Sequence, residues 1–156
     1  TLMCYNLIKP LSQKNKNSIL DIKELKKYLV GKDQYPLHLD IALPVFFWSQ
    51  LYQNNRFVEL LDLSCSEISN FTKKIDSMWY EVTKDTKVGY YTYLKKGDRI
   101  KCEDVSVATL HTTLEAIKKY VKLDDEVTVT LFDLSASTFK KYSDEEIRSL
   151  YDYLAK

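Results

Sequence analysis

A chain of 156 residues with 45% apolar and 29% charged residues has the size and composition of one globular domain, which excludes intrinsic disorder. Its formal net charge of +1 gives no global field that would steer it to nucleic acid or a membrane surface. The longest apolar run falls far short of the roughly 20 residues that a membrane helix needs. We therefore expect a soluble protein without membrane contact.

The first predicted elements are a short strand over residues 2–8 and an amphipathic helix. Residues 18–21 resemble a capping box, apolar residues then follow at helical spacing, and Gly31 stands where a C-cap glycine would. A second short strand is predicted over residues 37–41.

An aromatic-rich stretch, LPVFFWSQLYQNNRFVELLDLS, occupies residues 43–64 and carries five aromatics within its first fifteen residues. Pro44 suits a first helical position, so we predict a helix over residues 45–52 and a strand over 56–63. On a helix Phe46, Phe47 and Trp48 point in three directions, so they cannot all face one core. Three interpretations stay open: the cluster is core packing, part of it is an exposed anchor for a partner, or it lines a small-molecule site.

A second capping box at residues 64–67 precedes an apolar stripe that predicts a helix as far as residue 82. The stripe consists of Ile68, Phe71, Ile75, Met78, Trp79 and Val82.

Next comes a predicted hairpin over about residues 88–103, with its turn at residues 95–98 and Gly97 able to take a positive φ. Aromatic side chains interleaved with basic ones are typical of single-stranded nucleic-acid binding, by base stacking and phosphate contact. The residues concerned are Tyr91, Tyr93, Lys95, Lys96 and Arg99. The other interpretation is that tyrosine packs well in strands and lysine solvates hairpin ends.

The C-terminal third predicts a helix over residues 106–122, a strand over 126–133 with clean alternation, and a capped helix from 143 to 154. The predicted fold class is therefore α+β, a mixed sheet with one clear hairpin and four to five packed helices. We expect one compact domain over residues 1–156, with sub-lobes at 1–82 and 83–156 as an alternative division.

The cysteines number three, Cys4, Cys65 and Cys102, at wide spacings and without a C-x-x-C motif. This pattern predicts reduced thiols, without a disulfide framework or zinc site, in the cytoplasm or another reducing intracellular compartment. His38 and His111 belong to no catalytic motif. We expect no enzyme, no catalytic or metal site and no cofactor; a cysteine-dependent enzyme using Cys65 or Cys102 is the remaining alternative.

The expected function is binding of another macromolecule, most simply another protein, through the aromatic residues. The residues predicted to contact this partner are Phe47, Trp48 and Tyr52, with Trp79 second. The alternative is an RNA or single-stranded nucleic-acid binder that uses the tyrosine–lysine hairpin. A lysine-rich, glycine-poor chain that starts with Thr1 is compatible with a viral or parasite source and with a piece of a longer protein.

Overall fold

A computed structural model of the chain describes residues 1–9, 14–133 and 135–154, except for the side chain of residue 139. The strands are β1 (Leu2–Met3), β2 (Ile41–Pro44), β3 (Trp48–Gln53), β4 (Arg56–Leu61), β5 (Thr72–Lys74), β6 (Trp79–Val82), β7 (Thr86–Val88), β8 (Thr92–Leu94), β9 (Arg99–Glu103) and β10 (Val129–Phe132). The α-helices are α1 (Ile22–Leu29), α2 (Cys65–Ile68), α3 (Val107–Tyr120), α4 (Ala136–Lys141) and α5 (Asp144–Leu154).

Contacts between residues group the described chain into two units. The terminal unit lies within residues 1–9, 17–46 and 105–156, and the central unit lies within residues 10–16 and 47–104. The single-domain organisation expected from the sequence, with its alternative sub-lobes at 1–82 and 83–156, stays a prediction.

The terminal unit contains a parallel sheet in the order β1-β2-β10. Ile41, at the start of β2, lies opposite Leu2 of β1 and Val129 of β10. Of the strand predicted over residues 37–41, only residue 41 lies in a strand, because β2 begins there. Parallel pairing of β1 and β2 requires a crossover connection, and α1 lies in it. Helices α1 and α3 pack on each other and bury Leu25, Leu29, Leu110, Leu114 and Ile117.

Three of the predicted helices are confirmed, because their starts depend on local capping. Asp21, rather than Ser18, caps α1: its carboxylate accepts hydrogen bonds from two backbone N–H groups of the first turn, while Ser18 is buried. Ser106 caps α3 by accepting one such bond, from the Thr109 N–H. At the start of α5, Ser143 and Glu146 exchange side-chain-to-backbone hydrogen bonds, as the capping box predicts.

The central unit is built on an antiparallel sheet in the order β4-β3-β9-β6-β5, with β7 and β8 forming a separate hairpin. Its buried cluster consists of Leu51, Leu61, Ile68, Val82, Leu94, Ile100 and Cys102. Leu51 and Ile100 face each other across β3 and β9, which places them on one side of the sheet.

The helix predicted over residues 45–52 is wrong, since residues 48–52 lie in β3. Trp48 to Tyr52 pair residue by residue with β9, and β4 pairs on the other side of β3. Asn54 and Asn55 connect β3 to β4 with φ of 50° and 62°. Two consecutive positive φ values match the twist of a tight hairpin, and asparagine tolerates them better than most residues. Asn54-Asn55 was therefore the local signal for a hairpin here.

The helix predicted over residues 64–82 is wrong beyond its first turn. Ser64 and Glu67 do form the predicted capping box, but α2 ends at Ile68. The chain then forms β5 and β6, and β6 joins β9 with Tyr80 opposite Ile100. Pairing with a strand 20 residues away in sequence overrides the helical spacing of the apolar residues.

The hairpin predicted over residues 88–103 is wrong in its pairing. Gly97 does take a positive φ of 92°, but the strands on either side of this turn belong to different sheets. Strand β8 pairs with β7 around a turn at residues 89–91, whereas β9 pairs with β3 and β6.

The α+β class itself is confirmed, but the described chain is richer in sheet than predicted. It has three sheets and five α-helices, of which α2 and α4 span four and six residues. Among the helices that the structure describes, none combines the length and hydropathy that a membrane span needs.

The predicted reducing compartment is wrong, because Cys65 and Cys102 form a disulfide. Their Cα atoms lie 5.7 Å apart, one at the start of α2 and the other in β9. Such bonds persist mainly in oxidising compartments, such as the secretory pathway and the cell exterior. The wide spacing of the cysteines gave no sign of this pairing, since it results from how the central unit folds.

Candidate binding surface

One face of the β3–β9 pair carries an unusual set of polar and aromatic side chains. The register places Trp48 opposite Glu103 and Gln50 opposite Lys101. Because side chains alternate along a strand, these four and Tyr52 share a face of the sheet. The opposite face carries the apolar cluster with the disulfide.

A buried ion pair lies at the centre of this face. Lys101 Nζ lies 2.6 Å from Glu103 Oε1, and both side chains are fully buried. The ammonium also donates to the backbone carbonyl of Lys16 at 2.8 Å. The other carboxylate oxygen, Glu103 Oε2, accepts from Trp48 Nε1 at 2.8 Å and from Gln50 Nε2 at 2.7 Å. These hydrogen bonds offset the cost of removing both charges from water.

The network continues to Tyr52, whose hydroxyl donates to Gln50 Oε1 at 2.7 Å. Burial and the Glu103 charge raise the pKa of Tyr52, so its phenol remains a donor at neutral pH. Every buried side-chain polar atom in the described part of the chain has a partner. The network is therefore internally satisfied and suits a structural role.

Three aromatic rings lie in a row across the same face. The Tyr52 ring centroid is 5.1 Å from that of Trp79 and 5.9 Å from that of Phe57. Trp79 Nε1 donates to the Lys14 carbonyl at 3.1 Å. The row runs from β6 through β3 to the edge strand β4.

The predicted partner-binding residues thus fall into two groups. The structure brings Trp48, Tyr52 and Trp79 onto one face; Tyr52 is buried and the two tryptophans are half-buried. Phe47 is half-buried and directly precedes β3. Much of the aromatic density is therefore internal packing, and the role of these residues in partner binding stays a prediction.

The outer strand of the sheet, β4, exposes apolar side chains that were not among the predicted partner contacts. Phe57, Val58 and Leu60 of β4 are 49%, 46% and 45% exposed. Among the residues that the structure describes, β4 pairs only with β3. The register shifts so that Tyr52 faces Phe57 and Leu51 faces Glu59, which leaves Val58 without a residue opposite. The sequence did carry a signal for this exposure: β4, RFVELL, has more apolar residues than can point to one buried face.

The β7–β8 hairpin carries the most exposed aromatics. Tyr90 and Tyr91, in its turn, are 86% and 97% exposed, and Tyr93 on β8 is 55% exposed. Thr92 donates to Glu59 Oε1 at 2.9 Å, which places β8 beside β4.

The predicted nucleic-acid residues are distributed over three elements of this region. Tyr91 lies in the β7–β8 turn and Tyr93 in β8, whereas Lys95 and Lys96 lie in the next turn and Arg99 begins β9. Both lysines and the arginine are exposed. Between residues 84 and 99, five basic side chains stand against two acidic ones, so this part of the surface is positive.

The cysteines and histidines show no catalytic arrangement in the described part of the chain. With the disulfide formed, neither Cys65 nor Cys102 is a thiolate, and burial raises the pKa of Cys4 to about 12. The Ser149 hydroxyl donates to the Glu146 carbonyl at 2.7 Å and lies 3.0 Å from His111 Nε2. No group of three His, Cys, Asp or Glu residues in the described ranges could hold a metal ion.

His38 lies between two carboxylates of the terminal unit. Its Nδ1 is 2.8 Å from Asp124 Oδ2 and its Nε2 is 2.9 Å from Asp40 Oδ1. These hydrogen bonds raise the pKa of His38. The pKa of Asp40 is lowered, first by the Thr128 backbone N–H and then by His38, and that of Asp124 is lowered mainly by His38. The arrangement favours a protonated imidazole that links residues far apart in sequence.

Comparison with known proteins gives no relative: no protein-family model, no curated protein and no solved structure matches this chain.

Proposed function

We propose that this chain is a non-enzymatic protein-binding module, and that its contact surface is the β4 edge, defined here as Phe57, Val58 and Leu60. The observation that carries the proposal is the exposure of these three side chains on a strand with one described neighbour. The partner is an extended, acidic and apolar segment of another protein, which pairs with β4 as an additional strand.

An edge strand offers unpaired backbone N–H and C=O groups to a second strand. Proteins usually protect such edges with lysine, proline or a covering element. Here Arg56 is the basic residue of β4, and the Glu59 carboxylate is already engaged by Thr92. Burying the exposed halves of the three apolar side chains would contribute on the order of 1 kcal/mol each. Backbone pairing would add to this gain.

Two of the predicted aromatic residues stabilise the position of Phe57 in this edge strand. Tyr52 packs against Phe57 and holds it in an edge-to-face contact, while Trp79 packs on the other side of Tyr52. A rigid backing lowers the entropy lost when a partner binds. Phe47 and Trp48, both half-buried, remain the predicted additional contacts.

The charge of the neighbouring hairpin indicates the chemistry of the partner. The positive surface over residues 84–99 lies beside β4 through the Thr92–Glu59 hydrogen bond and would attract acidic side chains. The disulfide favours a protein over a nucleic acid as the partner, because oxidising compartments are rich in proteins and poor in free RNA.

A phage-displayed library of random peptides tests the proposal directly. Peptides selected on the purified protein should alternate apolar and acidic residues, and Leu60→Lys should abolish their binding. Ile75→Lys is the matched control, because Ile75 lies beyond β5 at the far end of the same sheet and is 44% exposed against 45% for Leu60. Equal loss of binding in both variants, or no selected peptide, would contradict the proposal.

Hydrogen exchange then distinguishes strand pairing from simple apolar contact. A bound peptide that adds a strand should slow exchange of backbone amides in β4, whereas a peptide held by side chains alone should leave that exchange unchanged.

The second candidate function is single-stranded nucleic-acid binding by the hairpin, favoured by the exposure of Tyr90 and Tyr91 next to basic residues. A labelled poly-U oligonucleotide should then bind with an affinity that falls steeply with salt, and Tyr91→Ala should weaken it. The contacts would be Tyr91, Tyr93, Lys95, Lys96 and Arg99. Absence of binding at low salt would exclude this function.

A further inference from the structure

A cavity of about 380 Å³ lies at the carboxyl ends of β2 and β10 in the terminal unit. Val45 directly follows β2, Leu131 lies in β10 and Asp133 directly follows it. Open sheets of parallel strands bind ligands outside these ends of their strands. The other lining residues come from α4, α5 and the chain between them: Thr138, Tyr142, Asp144, Ile147, Arg148 and Tyr151.

The walls of this cavity are held by contacts that need no ligand. Tyr142 is 6% exposed and donates its hydroxyl to the Val105 carbonyl. Thr138 is 7% exposed, and its hydroxyl lies 2.8 Å from that of Ser135. The Tyr142 bond anchors the C-terminal end of α4 beside the start of α3, and the Thr138 contact belongs to the N-terminal cap of α4. The cavity is therefore preformed, which is typical of small-molecule sites.

The charged groups of the cavity are of both signs. Arg148 and Asp144 are four residues apart on α5, which puts them on one helix face. Asp133 faces the cavity from the end of β10. No ion pair joins these three side chains in the part of the chain that the structure describes. Each is exposed and can receive a charged group of a ligand.

The apolar part of the lining consists of Val45, Leu131 and Ile147. A simple anion would pair with Arg148 but would meet two carboxylates, and a simple cation would meet the guanidinium. A zwitterion with an apolar body satisfies both signs and the apolar wall at once. The volume equals roughly a dozen groups of water size at about 30 Å³ each, enough for one amino acid with a large side chain.

We infer that this cavity binds a free amino acid with an apolar or aromatic side chain. The Arg148 guanidinium holds the carboxylate, and the carboxylates of Asp133 and Asp144 hold the ammonium group. The ligand side chain lies against Val45, Leu131 and Ile147.

Calorimetric titration of the whole chain with four compounds tests this inference. The compounds are L-phenylalanine, L-leucine, phenylethylamine, which lacks the carboxylate, and 3-phenylpropionate, which lacks the ammonium. Both amino acids should bind saturably, and each truncated compound should bind at least about tenfold more weakly than L-phenylalanine. No saturation with either amino acid up to about 10 mM, or equal affinity for all four, would overturn the inference.

Two variants assign the roles of the charged groups. Arg148→Gln should weaken L-phenylalanine binding at least about tenfold and leave phenylethylamine binding unchanged. Glu145→Gln is the control, since Glu145 lies on the same helix turn as Asp144 but does not line the cavity. Equal effects of the two substitutions would overturn the assignment of Arg148. Failure here leaves the proposal for the β4 edge untouched, because the two sites share no residue.

Discussion

Reduction of the Cys65–Cys102 disulfide should lower the stability of the central unit by a predictable amount. The bond closes a loop across a sequence separation of 37 residues. In the chain-entropy account, a loop of this length restricts the unfolded chain by about 4 kcal/mol. For a protein of this size, that corresponds to a fall in melting temperature of roughly 8–16 °C.

Urea unfolding measures this difference on the protein with and without a reductant. The double variant Cys65→Ala/Cys102→Ala is the control: it should have the lower stability from the start and should not respond to the reductant. Thiol titration provides a second check. The oxidised protein should show one thiol after unfolding, from Cys4, and none while folded, because Cys4 is buried and its pKa is raised to about 12. Coincident unfolding curves, or three titratable thiols after unfolding without reductant, would refute the reasoning.

Three further predictions concern the buried pair, a helix cap and the exposed histidine. Lys101→Met should cost about 3–5 kcal/mol in urea unfolding, because it leaves Glu103 charged and buried. Ser64→Ala should cost about 1 kcal/mol by the same assay, because it removes one half of the capping box. Replacing His38 by Asn should flatten the pH dependence of stability. The raised pKa of His38 means that its contribution is complete below the ordinary value of 6.5 and is lost as pH rises through the folded value.

Each of these has a clear contrary result. A Lys101→Met variant as stable as wild type would mean that Glu103 is neutral or hydrated in the folded state. An unchanged Ser64→Ala variant would mean that the α2 cap does not matter to folding. For His38, the pH dependence of stability in the acidic range is the control, because there the stability should change in the opposite direction. Asp40 and Asp124 have lowered pKa values, so their contribution to stability is complete above the ordinary pKa of 3.8. It is lost as pH falls through their folded pKa values. Stability that rises steadily from neutral to alkaline pH in wild type alone would contradict the account.

The surface residues were harder to predict than the helices. Trp48, Tyr52 and Trp79 were selected as partner contacts from aromatic density, and the structure brings them together but largely inside. Phe57 and Leu60 were not selected, yet they are the half-exposed apolar side chains of an edge strand. Exposure depends on whether another strand or segment covers a side chain, and residue type does not reveal that.

The sequence by itself determined where α2, α3 and α5 begin, and the α+β class. A capped helix closes its hydrogen bonds between residues four apart, so its signal lies within a few neighbouring residues, as at Ser64 and Ser143. Only the tertiary structure decided which strands pair, that Lys101 and Glu103 are buried, and that Cys65 meets Cys102. These contacts join residues far apart in the chain or depend on what covers a sheet face. No local pattern carries that information, because alternating charged and apolar residues look the same on a solvated face as on a buried one.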